Sequence, residues 1–330
     1  MTDGYRTRLI GPPAPTFSVE FCHISSISFY HSLIFLLNAN RFGKYYVFQL
    51  LFHYNTPMIT DLSARAIKFG LGTTVMGCGV RSFAKTGSTM DVARRMAEAG
   101  CAEGTLIVAD TQTSGRGRFN RPWASPAGTN LTFSLVLRPS PELLRDMNMA
   151  ATVALVRCIG AMTKLKPTVK WPNDVRIGGK KVCGVLVEGH LAARPQKGTG
   201  DSSYVILGVG LNVNYDPSPV LEPRSEATSL ASEFGREVSR VDVLRAFLRT
   251  FDALYRTLDT GDSLYQEWRS CLDTLDQHVR VRFGDSDGSE SDIVEEGVAS
   301  DVDRNGDLIL LRANGSTIAL NAGEITFQAG

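Results

Sequence analysis

Residues 114–123 read Ser-Gly-Arg-Gly-Arg-Phe-Asn-Arg-Pro-Trp, and this segment governs how the rest of the chain is interpreted. Three arginines, Arg116, Arg118 and Arg121, alternate with two glycines, and no acidic residue lies close by in the sequence to neutralise them. Arginine side chains match phosphate and carboxylate oxygens in pairs of hydrogen bonds, and glycines let a backbone close on an anion. The segment therefore favours a site for a nucleotide triphosphate and a carboxylic acid. Taken alone, it fits a solvated basic loop equally well.

The elements around this segment indicate a mixed α+β fold. Apolar residues at helical spacing predict helices over 88–99, 142–164, 241–254 and 262–272, the first capped by its opening Ser-Thr. Apolar runs bounded by turn residues predict strands over 105–109, 130–137, 168–171, 182–187 and 204–213. Beyond Asp276, short strands separated by Gly, Asp and Asn turns are typical of a small β-barrel. We therefore expect an α+β core over residues 58–274 and a β module over residues 275–330.

Residues 1–57 differ from the rest of the chain. They hold 12 of its 25 Phe and Tyr residues, and Asp3 and Glu20 are their only acids. The most apolar part, 24–37, is too short to span a bilayer and starts too late for a signal peptide. A DNA-binding winged helix would need a Lys/Arg-bearing recognition helix, which this stretch does not supply. We interpret it as an atypical extension that is either poorly ordered or translated upstream of a true start at Met58.

The composition of the whole chain excludes several classes of function. With 35 Lys and Arg against 34 Asp and Glu, no net field recruits nucleic acid or an anionic membrane. Six scattered cysteines lack the spacing of a disulfide framework or a zinc site, which predicts a cytoplasmic protein with reduced thiols. Only His190 and His278 lie beyond residue 60, which argues against a histidine-dependent catalytic triad.

Two further regions turn the basic segment into part of a pocket. Residues 170–174, Lys-Trp-Pro-Asn-Asp, follow a predicted strand and present amide and carboxylate groups. The same Asn-Asp pair is also common in simple turns that bind nothing. Lys181 opens an apolar strand, where it is either a snorkelling edge residue or a point charge that faces a ligand. Glycines inside neighbouring strands mark close approach of a ligand or backbone: Gly184, Gly208 and Gly210.

Together, these segments resemble the biotin–protein ligases (biotin–[acetyl-CoA carboxylase] ligases), in the form without a DNA-binding domain. The motifs that carry the resemblance are Gly87-Ser88-Thr89, Gln112 to Arg118, Arg121-Pro122-Trp123, Lys170 to Asp174, Lys180-Lys181-x-x-Gly184, Gly208-x-Gly210-x-Asn212 and Gly323-Glu324-Ile325. The resemblance covers residues 60–330. It implies a catalytic core like that of class II aminoacyl-tRNA synthetases, followed by an SH3-like β-barrel.

The resemblance also implies a reaction in two steps. The biotin carboxylate attacks the α-phosphorus of ATP, with Mg²⁺ as the metal, and gives biotinyl-5′-AMP and pyrophosphate. A lysine of a biotin carboxyl carrier protein or domain then attacks this anhydride and expels AMP. No enzyme nucleophile is needed, since the protein positions two anions that repel each other. A homodimer is left open.

Site residues follow from the same resemblance. Those implied for biotin are Ser88, Thr89, Met90, Gln112, Gly115, Arg116, Gly117, Arg118, Lys181, Gly184 and Gly208. Those implied for the nucleotide are Arg118, Arg121, Trp123, Asn130, Asn173, Lys181 and Asn212. Arg118, Lys181 and Asp174 are the implied catalytic residues, and Asp174 either orients the acceptor amine or holds Mg²⁺. Trp123 packs near the adenylate or anchors the loop. Met90 stands where the family usually has Asn, so a contact there would use the backbone or be lost.

Two other functions compete with this interpretation. A lipoate–protein ligase shares the fold, but that family's arginine–multiglycine motif is absent from the sequence. A biotin-sensing transcriptional repressor would carry an N-terminal winged helix, and the aromatic, charge-poor residues 1–57 argue against one.

Overall fold

The computed structural model describes residues 34–38, 45–49, 61–190, 203–215, 227–258, 263–284 and 290–327. The chain divides into two compact units, residues 1–58 and 59–330. In the first unit, strands β1 (Ile34–Asn38) and β2 (Tyr45–Gln49) form an antiparallel pair. The rest of the predicted extension over residues 1–57, and residues 191–202, lie outside the described residues.

A seven-stranded mixed sheet organises the second unit, in the order β3-β4-β5-β9-β8-β7-β6. Its strands are β3 (Val80–Thr86), β4 (Thr105–Gln112), β5 (Leu131–Leu137), β6 (Pro167–Lys170), β7 (Asp174–Ile177), β8 (Lys180–His190) and β9 (Tyr204–Leu211). The pair β3–β4 is parallel and the other neighbours are antiparallel. The predicted mixed α+β class is therefore confirmed. Strand β3 was not predicted, because its mostly exposed side chains give an edge strand little apolar alternation.

Helices cover both faces of this sheet: α1 (Ala64–Lys68), α2 (Thr89–Glu98), α3 (Asp146–Thr163), α4 (Leu230–Phe234), α5 (Arg240–Tyr255) and α6 (Ser263–Cys271). Helices α3 and α5 share one large apolar core with Leu135 and Leu207 of the sheet. Helix α2 packs instead with Val136 and Ile206. Because neighbouring residues of a strand point to opposite faces, α2 lies on the other face of the sheet.

One predicted helix start and one predicted helix cap need correction. The helix expected over 142–164 begins at Asp146, because Pro141–Leu143 form a separate 3₁₀ turn whose bonds run from Leu143 N–H to the Ser140 carbonyl. Helix α2 does begin after Ser88, but the Ser88 side chain makes no capping hydrogen bond. Its hydroxyl group is therefore not used within the helix.

The C-terminal region forms a second, five-stranded antiparallel sheet in the order β13-β12-β11-β10-β14. Its strands are β10 (His278–Gly284), β11 (Glu290–Val302), β12 (Leu308–Leu311), β13 (Thr317–Leu320) and β14 (Glu324–Phe327). Buried residues of this sheet, such as Val281 and Leu310, belong to the same apolar cluster as the core of the main sheet. In the described ranges, no helix has both the length and the apolarity to cross a membrane.

Candidate active site

A cavity of about 520 Å³ opens between the main sheet, residues 114–123 and strand β14. Most of the predicted site residues line it: Ser88, Thr89, Met90, Gln112, Arg116, Gly117, Arg118, Arg121, Trp123, Asn173, Asp174, Lys181, Gly184, Gly208 and Asn212. Gly115 and Asn130 are not among the lining residues. Asn130 is fully buried behind the cavity, where its amide donates to Asn212 Oδ1 at 3.2 Å. The fold therefore gathers segments that lie more than 100 residues apart in the chain.

Three glycines of strands β8 and β9 form the base of the cavity, and we call Gly184, Gly208 and Gly210 the glycine floor. Gly210 lies directly opposite Gly184 in the register of the two strands. The indole of Trp123 lies on this pair, since a Cβ added at Gly210 would come within 2.5 Å of Trp123 Cε2. At Gly184 and Gly210 the predicted close approach is thus made by an aromatic side chain of the chain itself.

A polar network closes one end of the cavity. Thr89 donates to Gln112 Oε1 from its backbone N–H at 2.7 Å and from its hydroxyl at 3.1 Å. Ser134 Oγ in turn donates to Thr89 Oγ1 at 2.9 Å. Ser134 was not predicted as a site residue, because a serine inside an otherwise apolar strand has no distinctive spacing. The network holds Thr89 and Gln112 in fixed orientations at this end.

Cationic side chains gather at the other end of the cavity. Lys181 Nζ lies 2.7 Å from Asp174 Oδ1 and 5.9 Å from the centre of a Trp123 ring. Lys170, which also lines the cavity, is largely buried, and this burial lowers the pKa of its ammonium group. Burial likewise lowers the pKa of Arg118. The charges of Lys170 and Arg118 are thus held with little water around them, where they act strongly on an anion.

Residues 114–123, which we call the arginine loop, form a narrow hairpin. The N–H of Trp123 donates to the Gly115 carbonyl at 2.9 Å, and the N–H of Gly117 donates to the Arg121 carbonyl at 2.8 Å. The turn between them places Phe119 in the left-handed region, with φ of 53°. Such a backbone is uncommon for an aromatic residue, and it is maintained here by the paired segments on either side.

Each arginine of this loop meets a partner from another part of the chain. Arg116 forms an ion pair with Asp91 at 2.8 Å and lies 3.7 Å from Glu188, while Arg121 pairs with Glu324. The hydrogen bond from Arg116 is the main cause that lowers the pKa of Asp91. No acid is near these arginines in the sequence, yet the fold supplies three. Asp91 and Glu188 carry no sequence pattern that would have identified them.

Arg118 differs from the other two arginines because its partners are uncharged. Its guanidinium group donates to the Gly323 carbonyl at 3.0 Å and to Asn173 Oδ1 at 3.3 Å. These contacts place it between the main sheet and strand β14 without neutralising its charge. Arg118 is therefore suited to receive an anionic ligand in the cavity.

Two further features limit which ligands the cavity suits. The Trp123 Nε1–H is buried and finds no hydrogen-bond partner among the residues that the structure describes, so it is a donor that a ligand oxygen would satisfy. Within the described residues, no three His, Cys, Asp or Glu side chains gather as a metal site. Among the described lining residues, Asp174 and Glu324 are the acidic ones, and Asp174 is the carboxylate beside the cationic end.

Comparison with known proteins identifies the family to which this arrangement belongs. Residues 82–212 match the Biotin/lipoate A/B protein ligase family. The bifunctional ligase/repressor BirA of Bacillus subtilis is 35% identical over 244 residues, which cover 72% of this chain and 73% of that protein. The biotin–[acetyl-CoA-carboxylase] ligase of Mycobacterium tuberculosis is 31% identical over 277 residues, covering 82% and 96% of the two chains.

A solved structure agrees with these matches. The biotin protein ligase from Aquifex aeolicus in complex with biotin and ATP aligns with a TM-score of 0.61 and 25% identity, over 77% of this chain and 100% of that one. Fold and cavity thus define an enzyme of the biotin/lipoate ligase class. The chain belongs to the biotin protein ligases, which confirms the resemblance stated from its motifs.

Proposed function

We propose that the enzyme activates biotin with ATP as biotinyl-5′-AMP and then transfers biotin to a lysine of a carrier protein of a biotin-dependent carboxylase. The observation that carries this proposal is that one cavity joins the Thr89–Gln112 polar network to the cationic Lys181 and Arg118. A ligand with a polar ring at one end and a carboxylate at the other matches such a cavity. The names of the relatives, and the biotin and ATP held by the Aquifex aeolicus enzyme, support it.

In the first step, the carboxylate of biotin forms a bond to the α-phosphorus of ATP, and the bond from this phosphorus to the pyrophosphate oxygen breaks. Lys181 exchanges its ion pair with Asp174 for the carboxylate oxygen and draws it toward the nucleotide. Arg118 and Arg121 offset the negative charge that grows on the phosphate oxygens. The Trp123 Nε1–H donates to an oxygen of the adenylate.

The resemblance implies Mg²⁺ as the metal. A carboxylate beside the cationic end of the cavity fits this ion when phosphate oxygens of ATP supply most of its ligands. Mg²⁺ is commonly bound through one or two carboxylates together with substrate phosphates and water. Asp174 is the carboxylate that would hold it, and the ion would neutralise charge on the triphosphate.

In the second step, the amine of the acceptor lysine attacks the carbonyl carbon of the anhydride, and the bond to the AMP oxygen breaks. The amine loses a proton as the amide forms, and Asp174 is the carboxylate near Lys181 that orients it. The arginine loop limits the access of water to the anhydride. We further propose that residues 58–274 form the catalytic domain, and that the C-terminal sheet over 275–330 closes as an SH3-like barrel.

The test is to incubate the protein with biotin, Mg·ATP and a biotin carrier domain and to measure the carrier by intact-mass spectrometry. We expect one added biotinyl group per carrier, with AMP released in equal amount. A parallel reaction with lipoate and a lipoyl domain tests the related ligase activity. Transfer of lipoyl but not biotinyl groups would contradict the proposal.

A further inference from the structure

We propose that Met90 and Gly208 form a matched pair that sets the width of the ring end of the cavity and so determines which carboxylic acids the enzyme accepts. The inference rests on the proposed function, because it concerns the ring of the same ligand. It assigns a role to the thioether of Met90, which is 4% exposed and lines the cavity beside Thr89.

The register of three strands defines this end of the cavity. Gly208 of β9 lies opposite Ser134 of β5 on one side and opposite Leu186 of β8 on the other. Residues that lie opposite each other in neighbouring strands share a face, and each strand spacing is about 4.8 Å. Ser134, Gly208 and Leu186 therefore form a row whose outer Cα atoms lie about 10 Å apart.

This row changes from polar to apolar along its length. At the β5 end, Ser134 supports Thr89 and, through it, Gln112. Met90 lies above Gly208 at the middle of the row, and Leu186 packs against the same apolar cluster as Met90. A fused ring with a urea on one edge and a thioether on the other matches this gradient, with its sulfur half toward Met90. Methionine makes a polarizable wall that suits such a ring.

Gly208 is required because Met90 leaves no room for a side chain. A Cβ at position 208 would lie 2.4 Å from Met90 Sδ and 3.2 Å from Met90 Cγ. Ala93, Val136 and Ile206 pack around Met90 within its apolar cluster, so a displaced thioether would move toward the cavity. Since a methionine end is flexible, Gly208→Ala should keep the fold but narrow the ring end.

The neighbouring glycine provides a matched contrast. Gly210 lies two residues further along β9 and faces the same side, about 7 Å away. A Cβ there would meet the ring of Trp123 rather than Met90, with its nearest contact at 2.5 Å. Shortening Met90 should therefore relieve Gly208→Ala and leave Gly210→Ala unchanged. Gly189→Ala, at the far end of β8, controls for alanine in these strands, because no atom of the described part of the chain lies within 4 Å of the new Cβ.

The experiment compares Gly208→Ala, Met90→Ala and the double variant. KM values for biotin and ATP are measured by pyrophosphate release, and biotin affinity is measured by calorimetry. We expect Gly208→Ala to raise the KM for biotin about 10-fold or more, as for a mismatch of one methyl group, with the KM for ATP unchanged. The double variant should recover most of this loss. Biotin sulfone is enlarged at the ring sulfur. Met90→Ala alone should therefore lower the preference of the enzyme for biotin over biotin sulfone about 10-fold.

The outcomes separate this inference from the proposed function. Unchanged biotin affinity in Gly208→Ala, or no recovery in the double variant, would overturn the matched pair. If Gly208→Ala fails to fold by circular dichroism, unaltered sulfone discrimination in Met90→Ala would overturn it instead. If the parent enzyme binds biotin but forms no adenylate, the proposed function fails, while the calorimetric comparison still decides the role of the pair.

Discussion

The glycine floor and the arginine loop enclose the same cavity but are held in place by different forces. The floor is backbone from neighbouring strands, and its positions follow from the register of β8 and β9. The loop is held by side chains from helix α2, strand β8 and strand β14. The floor is thus a steric surface, sensitive to single methyl groups, whereas the loop is an electrostatic one, sensitive to charge and salt.

This difference separates two kinds of specificity within one site. A rigid floor sets the shape of the ligand that fits, because packed strands relax little when an atom is added. A loop held by partly exposed ion pairs can open and close at small energetic cost, because each pair contributes only about 0.2–1 kcal/mol. The shape of the bound acid should therefore depend on the floor, and retention of the nucleotide should depend on the loop.

The largest effect is expected from two charges that flank the floor and the loop: Lys181 at the start of β8, the strand that carries Gly184 of the floor, and Arg118 within the loop. Lys181→Ala on β8 and Arg118→Ala in the loop should each lower adenylate formation about 100-fold or more, since each removes a group that stabilises developing charge. Pyrophosphate release measures this rate. Lys180→Ala removes a neighbouring charge that pairs with Glu233 outside the cavity, and it should change the rate less than about twofold. A near-normal rate in Lys181→Ala would refute its assignment.

The second-largest effect tests whether the glycine floor acts through steric contact. Gly210→Ala should displace the Trp123 indole and lower the efficiency of adenylate formation by about 10-fold, with the melting temperature nearly unchanged. Tryptophan fluorescence should shift toward that of a solvated indole in this variant. Equal activity of Gly210→Ala and Gly189→Ala would show that the floor tolerates added atoms.

A smaller effect is expected where Arg121 of the arginine loop pairs with Glu324 of the C-terminal sheet. Glu324→Gln removes the exposed partner of Arg121 and should raise the KM for ATP about threefold at low salt. Raising the ionic strength to about 1 M should remove most of the difference between the parent and the variant, because exposed charges are then screened. Glu296→Gln, which breaks the Arg280–Glu296 pair on the same sheet away from the cavity, is the matched control. A difference that persists at high salt would show that the attachment is not electrostatic.

The smallest effect concerns the attachment of Arg116 to helix α2. Asp91→Asn should weaken biotin binding about twofold. The hydrogen bond from Arg116 lowers the pKa of Asp91 in the folded protein. The ion pair therefore contributes fully to folding stability above the ordinary Asp pKa of about 3.9. This contribution is lost as the pH falls through the lower pKa that Asp91 has in the folded state. The difference in melting temperature between parent and variant should stay constant from pH 5 to 8 and shrink in stronger acid, about pH 3 and below. A difference that already changes near neutrality would identify another group as the partner.

Much of the fold followed from local patterns. Helices α2 and α5 were predicted close to their observed bounds because their apolar residues recur at helical spacing, and strands β5 and β9 because each is a mostly apolar run. Strands β4 and β8 were found in the right places but predicted three and five residues too short, since their ends carry polar residues. Strand β3 was missed, since its side chains are mostly exposed. The start of α3 was placed too early, because apolar periodicity does not reveal that the turn at Pro141 is separate.

Most of the predicted site residues line one cavity, because their motifs combine unusual residue types at fixed spacing. The motifs could not show that Trp123 would lie on Gly210, nor that Met90 would face Gly208. These contacts depend on strand register and on the direction in which α2 enters the sheet. Neither quantity is encoded in a short window of sequence.

The sequence by itself determined the family, the mixed class of the core and the set of chemical groups available, because these depend on residue identity and on short-range spacing. Only the tertiary structure decided which groups meet. Arg121 and Glu324 are 203 residues apart, and Arg118 reaches a carbonyl 205 residues away. Such contacts form when packing of the apolar core brings distant segments together, and no local pattern specifies their partners.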